Sequence, residues 1–504
     1  MRRSVTVRPN ERAYPGGMAT QTLVSHIANK PEWQDRLYKQ VALRIAELIE
    51  HGTLRPGARI PSVRELSERE EVSIATVMQA YRVLESRGLI EARPQSGYYV
   101  RAKLWSPPPE PSKSQPTRSA TRVSVNELVM EVLKATHSPG LVGFGAAMPS
   151  PQLLPTLQLH RTMASVARRH AALCNSCDIP PGNLNLRTQI ARRAMESGCT
   201  LSPDEIVTTC GCQEALNLCL RAVAKPGDTI AIESPTYYGI LQIIEALGMK
   251  ACEIPTFPRE GVCLDELVKR LKCCRIKACV FSLNFSNPLG SCMPDAKKAH
   301  LVKILADREI PLIEDDLYGN LSHSPHRPKT AKAFDKHGLV LLCDSFTKTL
   351  APGSRVGWTA PGRYRTQVEH LKFISSIGTP TLPQMAIAEF LANGGYDHHL
   401  RKLRRFYAEQ VPRVTQAITR YFPPGTKVTR PAGGYVLWVE LPPQVNSLVL
   451  FRKALAAKIS IAPGPIFSAK QKLENFIRLS CGAPWSEAMD HALLKLGQLS
   501  SAMM

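Results

Sequence analysis

Residues 343–358 read Cys343-Asp344-Ser345-Phe346-Thr347-Lys348-Thr349-Leu350-Ala351-Pro352-Gly353-Ser354-Arg355-Val356-Gly357-Trp358. The six residues before the polar part, 338–343 (GLVLLC), form a short apolar run that reads as a buried strand. A lysine follows at the mouth of that strand, with a hydroxyl three residues before it and an arginine seven residues after it. A lysine at the mouth of a strand, close to other cations, loses some preference for its charged form and becomes a usable amine nucleophile. Ser345 and Arg355 can hold a phosphate on either side of it.

An amine nucleophile beside a phosphate clamp suits an aldehyde cofactor that carries a phosphate, namely pyridoxal 5'-phosphate (PLP). A lone Ser-x-x-Lys would read as a surface turn. The full string, however, resembles the cofactor-lysine motif of fold-type I aminotransferases, S-F-[ST]-K-x-x-x-P-G-x-R-x-G-[WY].

Outward from this stretch, residues 127–504 alternate strand-length apolar runs with helical patterns. Strands are expected at 204–209, 229–232, 277–283 and 311–313, and helices at 213–223, about 240–247 and 295–308. Such alternation implies a mainly parallel sheet covered by helices on both faces, whose ligands bind beyond the carboxyl ends of the strands. The loops at those ends carry further matches. Gly211-Cys212-Gln213 opens a helix whose free N–H groups suit a phosphate, within a stretch resembling T-x-G-x-Q-x-A-L. Glu233–Tyr237 resembles E-x-P-x-Y, which implies that Tyr237 packs on the cofactor ring. Asn287-Pro288-Leu289-Gly290 resembles N-P-[TL]-G, which implies that Asn287 donates to the phenolic oxygen.

Glu314-Asp315-Asp316-Leu317-Tyr318 places three acids in a row, which repel one another and call for a cationic partner. The resemblance to E-D-D-x-Y puts Asp315 at the pyridine nitrogen, where a carboxylate keeps the ring electron-accepting, and Tyr318 at the phenolic oxygen. Arg478, on a late strand, matches the arginine that forks onto a substrate carboxylate. Residues 181–187 resemble P-x-G-x-x-x-L-R, but Cys177-Asp178-Ile179 stand where the family has a tyrosine. A smaller C-terminal α+β subdomain is expected at about 390–504.

Residues 31–101 read differently. An amphipathic helix over 32–51 ends at Gly52, Ser62 with Glu65 forms a capping box for a second helix, and Ser73 caps a third. Residues 89–92 and 97–100 flank Arg93-Pro94-Gln95-Ser96 as a β-hairpin. The segment resembles the GntR-type winged helix along its whole length. That resemblance implies that Arg64, Ser73, Thr76 and Gln79 face DNA and that Arg93, Ser96 and Gly97 lie at the wing. Ile74 stands where many members have arginine. Isoleucine cannot donate to guanine, though it can touch a thymine methyl.

Between these parts, residues 102–126 are rich in Pro, Ser and Thr and read as a linker, part stiff and part flexible. Residues 1–30 read as a disordered tail. The net charge of +22 suggests a polyanionic partner. Yet it is unevenly spread: +4 in residues 1–30, +1 in 31–101, +2 in 102–140 and +15 in the remainder. Bulk charge therefore does not single out the DNA-reading part.

No apolar run approaches the roughly 20 residues of a membrane span, and the N-terminus lacks the apolar core of a secretory signal. The 14 cysteines are irregularly spaced, as for reduced thiols in a cytoplasmic protein. Cys174-x-x-Cys177, Cys210-x-Cys212 and His323-x-x-His326 lack partner pairs at metal spacing, so no metal site is expected.

A winged helix-turn-helix fused to a PLP-dependent aminotransferase fold is the arrangement of the MocR subfamily of GntR-type regulators. The resemblance implies a homodimer that binds a double-stranded DNA operator, carries PLP on Lys348 and senses an amino acid or other small amino compound. An active aminotransferase with an appended winged helix is the alternative.

Overall fold

The computed structural model describes residues 37–51, 53–93, 96–101, 107–136 and 140–504. The expected tail, the Gly52 cap and the centre of the wing turn lie outside these residues. The chain divides into two compact units, 1–105 and 106–504.

In the first unit, α1 (Leu37–Glu50), α2 (Val63–Arg69) and α3 (Ile74–Ser86) precede a hairpin of β1 (Ile90–Arg93) and β2 (Gly97–Val100). Ser62 and Glu65 form the reciprocal capping box that opens α2, and Ser73 caps α3. Val41, Ile45 and Ile49 of α1 meet Leu66, Val77, Tyr81, Leu84, Ile90 and Val100 in one small core. The Tyr81 hydroxyl, buried there, donates to the Pro61 carbonyl at 2.6 Å.

The second unit is built on β3 (Thr121–Arg122), β5 (Val207–Thr209), β6 (Thr229–Ser234), β7 (Lys250–Phe257), β8 (Ile276–Phe281), β9 (Leu312–Asp315), β10 (Val340–Ser345) and β11 (Gly357–Ala360), with β4 (Val142–Gly143) outside this sheet. Their order across the sheet is β3-β7-β6-β8-β9-β10-β11-β5. From β7 through β10 neighbours are parallel, whereas β11 is antiparallel to both β10 and β5. β6 shows why the middle strands read as continuous apolar runs: Ile230 and Ile232 enter the core on one face, and Ala231 enters the core on the other.

Several boundaries differ from the sequence reading. Pro203–Glu205 form a 3-10 turn with a Ser202–Glu205 capping box, so the strand begins only at Val207. The eight-residue β7, which contains Pro255, was not expected at all. β9 and β10 run two residues further than anticipated, which carries Asp315 and Ser345 to the strand tips.

Helices α4 (Asn126–Thr136), α5 (Thr156–Arg169), α6 (Leu184–Ala194), α7 (Cys212–Val223), α8 (Tyr238–Ala246), α9 (Leu264–Cys273), α10 (Asp295–Ala306), α11 (Arg365–Ser376) and α12 (Thr381–Ala392) belong to this part. The 27-residue α13 (Gly395–Tyr421) leads into a small antiparallel sheet that includes Lys427–Val428, Val436–Glu440 and Phe476–Ser480. It also leads to α14 (Ser447–Ala456). β4 pairs in parallel with Ile459–Ser460, which ties the residues that follow it to this C-terminal part.

The expected linker is not free from residue 107 onward. Pro108 and Pro111 are buried. Pro109 accepts from Val428 N at 2.9 Å, and Arg430 donates to the carbonyls of Pro107 and Pro108. Glu110 accepts from Arg430 N at 3.0 Å and from the Arg259 guanidinium. Further on, the Ser114 hydroxyl donates to the Ser234 carbonyl at 2.5 Å, Thr256 N donates to that hydroxyl, and Arg270 donates to the Arg118 carbonyl. β3 then adds to β7. A Pro/Ser composition describes local stiffness, and these long-range partners override it. The segment is a strap laid over both the small and the large sheet.

Candidate functional site

The loops beyond β5, β6, β8, β9 and β10 all open at the carboxyl end of the parallel sheet. They bring together Gly211, Cys212, Tyr237, Asn287, Asp315, Tyr318, Ser345, Lys348 and Arg355, with Arg478 reaching in from the small sheet.

Lys348 follows β10 directly. Its part-buried amine donates to the Ala147 carbonyl at 2.7 Å and approaches the Met148 sulfur at 3.1 Å. Burial, then the charge of Arg478, bring its pKa down from 10.5 to about 7, with Asp315 opposing. The three consecutive acids diverge to separate partners, although Asp316 still helps burial to raise the pKa of Glu314 and Asp315. Glu314 turns to the amides of Ala331 and Lys332. Asp316 pairs with Arg327 and accepts from Asn284 at 2.8 Å. Asp315 has no ion-pair partner among the described residues. It accepts from Leu317 N at 3.3 Å and from the Cys212 thiol at 3.5 Å, and burial pushes its pKa up to about 6. A buried acid in that condition is suited to a cationic ring nitrogen.

Arg478 is fully buried. One guanidinium nitrogen donates to Asn287 Oδ1 at 3.3 Å, another to the Gly145 carbonyl, and Nε has no partner among the described residues. Because Asn287 Oδ1 is taken up by Arg478, its amide nitrogen is the group left to donate. The Tyr318 hydroxyl is buried without a hydrogen-bond partner among the described residues, and burial raises its pKa. An orphaned hydroxyl of this kind is costly unless a ligand oxygen meets it.

Gly211 caps α7 at φ +91°, and a Cβ there would sit 2.5 Å from an Arg355 guanidinium nitrogen. Arg355 donates to the Cys210 carbonyl at 3.2 Å. Helix N–H groups and an arginine therefore converge on one small space that only glycine leaves open. Two expected side chains also brace this frame. Gln213 donates to the Gly239 carbonyl at 3.0 Å, and Ser345 Oγ accepts from Thr347 N at 3.3 Å. Tyr237 packs on Tyr238, with ring centroids 4.6 Å apart.

The sequence reading missed residues 145–148. Their carbonyls hold Arg478, Lys348 and the Tyr435 hydroxyl. Gly143-x-Gly145 lacks the third glycine of a nucleotide fingerprint, and no local pattern marks its role. Also missed was the anchor behind the Gly211 loop: buried Lys372 bonds Glu214 at 2.8 Å, and Glu214 in turn accepts from Cys210 N.

In the first unit, Arg64, Ser73, Ile74, Arg93, Ser96 and Gly97 are exposed and Thr76 and Gln79 half-buried. Ser73 Oγ is engaged with Thr76 N and Thr76 Oγ1, so both hydroxyls serve the cap of α3. Arg93 pairs with Glu91 and lies over the Tyr99 ring, and Ser96 bonds the Tyr99 hydroxyl. Arg59, whose guanidinium lies beside Gly97, is a wing cation the sequence did not point to.

A lysine whose pKa burial lowers to about 7, a buried acid without an ion-pair partner among the described residues and a glycine-shaped anion cradle at the same strand ends mark a fold-type I PLP protein; the winged helix makes it one that binds DNA. Comparison with known proteins agrees. Residues 156–496 match the family "Aminotransferase class I and II", and residues 37–100 match "Bacterial regulatory proteins, gntR family". The chain is 41% identical over 462 residues to the uncharacterized HTH-type transcriptional regulator YdcR of Escherichia coli (strain K12), covering 92% of this chain and 98% of that one. The multiple substrate aminotransferase of Thermococcus profundus superposes with a TM-score of 0.70 at 26% identity, over 75% of this chain and 95% of its own. LysN, the α-aminoadipate aminotransferase of Thermus thermophilus, solved with N-(5'-phosphopyridoxyl)-L-leucine, gives 0.68 at 26% identity, over 76% and 99%.

The chain belongs to the MocR-type regulators, in which a GntR winged helix is fused to a class I/II aminotransferase domain. It is a DNA-binding transcriptional regulator, and PLP is the cofactor of its aminotransferase fold. Among the described residues no helix is long and apolar enough to cross a membrane.

Proposed function

We propose that the second unit binds PLP at Lys348 and senses an amino compound, and that this changes how the first unit holds its operator. The observation that carries the reading is the Lys348 amine beyond the tip of β10, bonded to the Ala147 carbonyl at 2.7 Å with buried Asp315 and Arg478 close enough to shift its pKa.

The residues present fit the cofactor. Gly211, the N–H groups of Cys212 and Gln213, Ser345 and Arg355 would hold its phosphate. Asp315 would face the ring nitrogen, and Asn287 and Tyr318 the phenolic oxygen. Tyr237 would lie against the ring. PLP bound there supplies an aldehyde that takes up amino groups and a ring that withdraws electrons. Lys348, largely neutral above pH 7, offers its lone pair and can accept or return a proton at Nζ. Arg478, already desolvated, can fork onto the carboxylate of an amino acid. For that, the Gly145 carbonyl must give way, so residues 145–148 are positioned to register the ligand.

We further propose a homodimer. Leu173, Ile179, Leu184, Phe373, Ile374 and Ile377 are each at least half exposed. The two segments that carry them adjoin, since a Cβ on Gly378 would lie 2.4 Å from the Asp178 carbonyl. An apolar face of this kind favours a second copy. It also borders the phosphate loop through Lys372 and Glu214. The strap gives a route outward, because Glu110 touches Arg259 and Arg430 together, and a ligand can act only through differential affinity for two arrangements.

The test is to measure binding to duplex DNA from upstream of the gene while PLP and then a panel of amino acids are added. DNA affinity that changes with no ligand would remove the sensing claim. The near-neutral lysine also favours a second reading, a working aminotransferase. Keto acid accumulating beyond one equivalent of protein would support it.

A further inference from the structure

We infer that the outward face of α13, in the aminotransferase-like unit, is a second DNA contact that binds backbone phosphates. This rests on the chain being a DNA-binding regulator and adds a surface outside the winged helix.

The charge distribution poses the problem. Residues 31–101 carry only +1, whereas residues 141–504 carry +15. Much of this surplus is spent internally, as with Arg327, Lys298 and Lys372. On α13 it is not. Leu400, Leu403, Tyr407, Val411 and Val414 seat the helix on the core. The opposite side leaves His398, Arg401, Lys402 and Arg405 exposed. None of Arg401, Lys402 and Arg405 has a hydrogen-bond or ion-pair partner among the described residues.

Neighbouring acids are already committed. Asp397 accepts from Arg193 at 2.6 Å, and Glu196 pairs with the same arginine. Arg192, next in chain to Arg193 on α6, is exposed as well. Arg401 and Arg405 stand one turn apart and repel each other, an arrangement that a polyanion relieves.

The class of partner follows from what the face lacks. No large hydrophobic side chain on α13 is exposed. A protein partner would call for an apolar or aromatic anchor, and a membrane surface for an apolar face to insert. Unpaired guanidinium and ammonium groups on a rigid helix suit phosphates.

The experiment uses the full chain loaded with PLP and a labelled duplex several helical turns long from upstream of the gene, titrated over a range of KCl. Arg401→Gln/Lys402→Gln/Arg405→Gln is compared with wild type. The control is Arg452→Gln/Lys453→Gln, which removes exposed cations on α14. Unchanged cofactor absorbance and melting show that folding is intact. The triple variant should lose salt dependence, with the slope of log K against log salt shallower by about 0.9 per phosphate contact, or about 2 to 3 in all. The control should keep the wild-type slope. A triple variant with the wild-type slope and affinity would overturn the inference. So would an equal loss per charge in the control, or a loss confined to phosphatidylserine vesicles with DNA binding intact. A wild-type protein that binds no duplex would instead sink the regulator reading itself.

Discussion

The pH at which Lys348 becomes reactive can be worked out in advance. With a pKa of about 7, roughly 90% of its amine is neutral at pH 8, against about 0.3% for an ordinary lysine at 10.5. The nucleophilic form is thus about 300-fold more abundant than on a surface lysine. The assay is the initial rate at which visible absorbance develops when cofactor-free protein meets limiting PLP, between pH 6 and 10. The rate should rise to a plateau with a midpoint near 7, and Lys348→Ala should give no band. Arg478→Met removes a cation that depresses the amine, so the midpoint should climb. Asp315→Asn removes the opposing charge, so it should fall. A wild-type midpoint near 10, or variants that leave it unmoved, would refute the electrostatic argument.

Three further outcomes follow. Tyr318→Phe deletes a buried hydroxyl that has no partner among the described residues, so stability should stay within about 1 kcal/mol of wild type. PLP affinity should nevertheless fall about tenfold or more, the value of a hydrogen bond to a charged oxygen, as read by dialysis against graded PLP. Glu233 accepts from Ser282 N at 3.0 Å, its other oxygen is unpartnered among the described residues, and burial raises its pKa from 4.5 to about 8. The native state therefore binds this proton more tightly than the unfolded chain does, and stability is lost as pH rises toward 8. Glu233→Gln should melt like wild type near pH 5 and higher than wild type at pH 9. Ile74, 53% exposed at the first turn of α3, can be replaced by arginine with little change in stability. Sequence selection with Ile74→Arg should enrich guanine at one position, since a bidentate arginine discriminates by about 1–3 kcal/mol.

The site was legible because parallel sheets gather their chemistry at strand tips, and each tip here carries its own short motif. Asp315, Asn287, Lys348 and Arg355 come together from loops that could each be read separately. Elements fixed by distant partners were not legible. β7 is interrupted by Pro255 and finds its place between β6 and β3. Arg478 was visible as a carboxylate fork, but its bond to the Gly145 carbonyl spans 333 residues. Ser73 and Thr76 carry a second task that the family pattern does not show: their hydroxyls are engaged in starting α3. Composition made 102–126 a linker, because no local rule foresees that Ser114 will bond Ser234.

That last feature bears on how the protein can be cut. A truncation begun at residue 127, where the sequence suggests a domain edge, strips β3 from β7 and leaves raw peptide groups along the rim of the sheet. It also strands the nearly buried Arg270, whose guanidinium donates to the Arg118 carbonyl. Open rims recruit other chains, and a buried cation deprived of its acceptor is strongly destabilising. Such a fragment should accumulate in inclusion bodies, whereas one begun at residue 107 keeps its selvedge and stays dispersed.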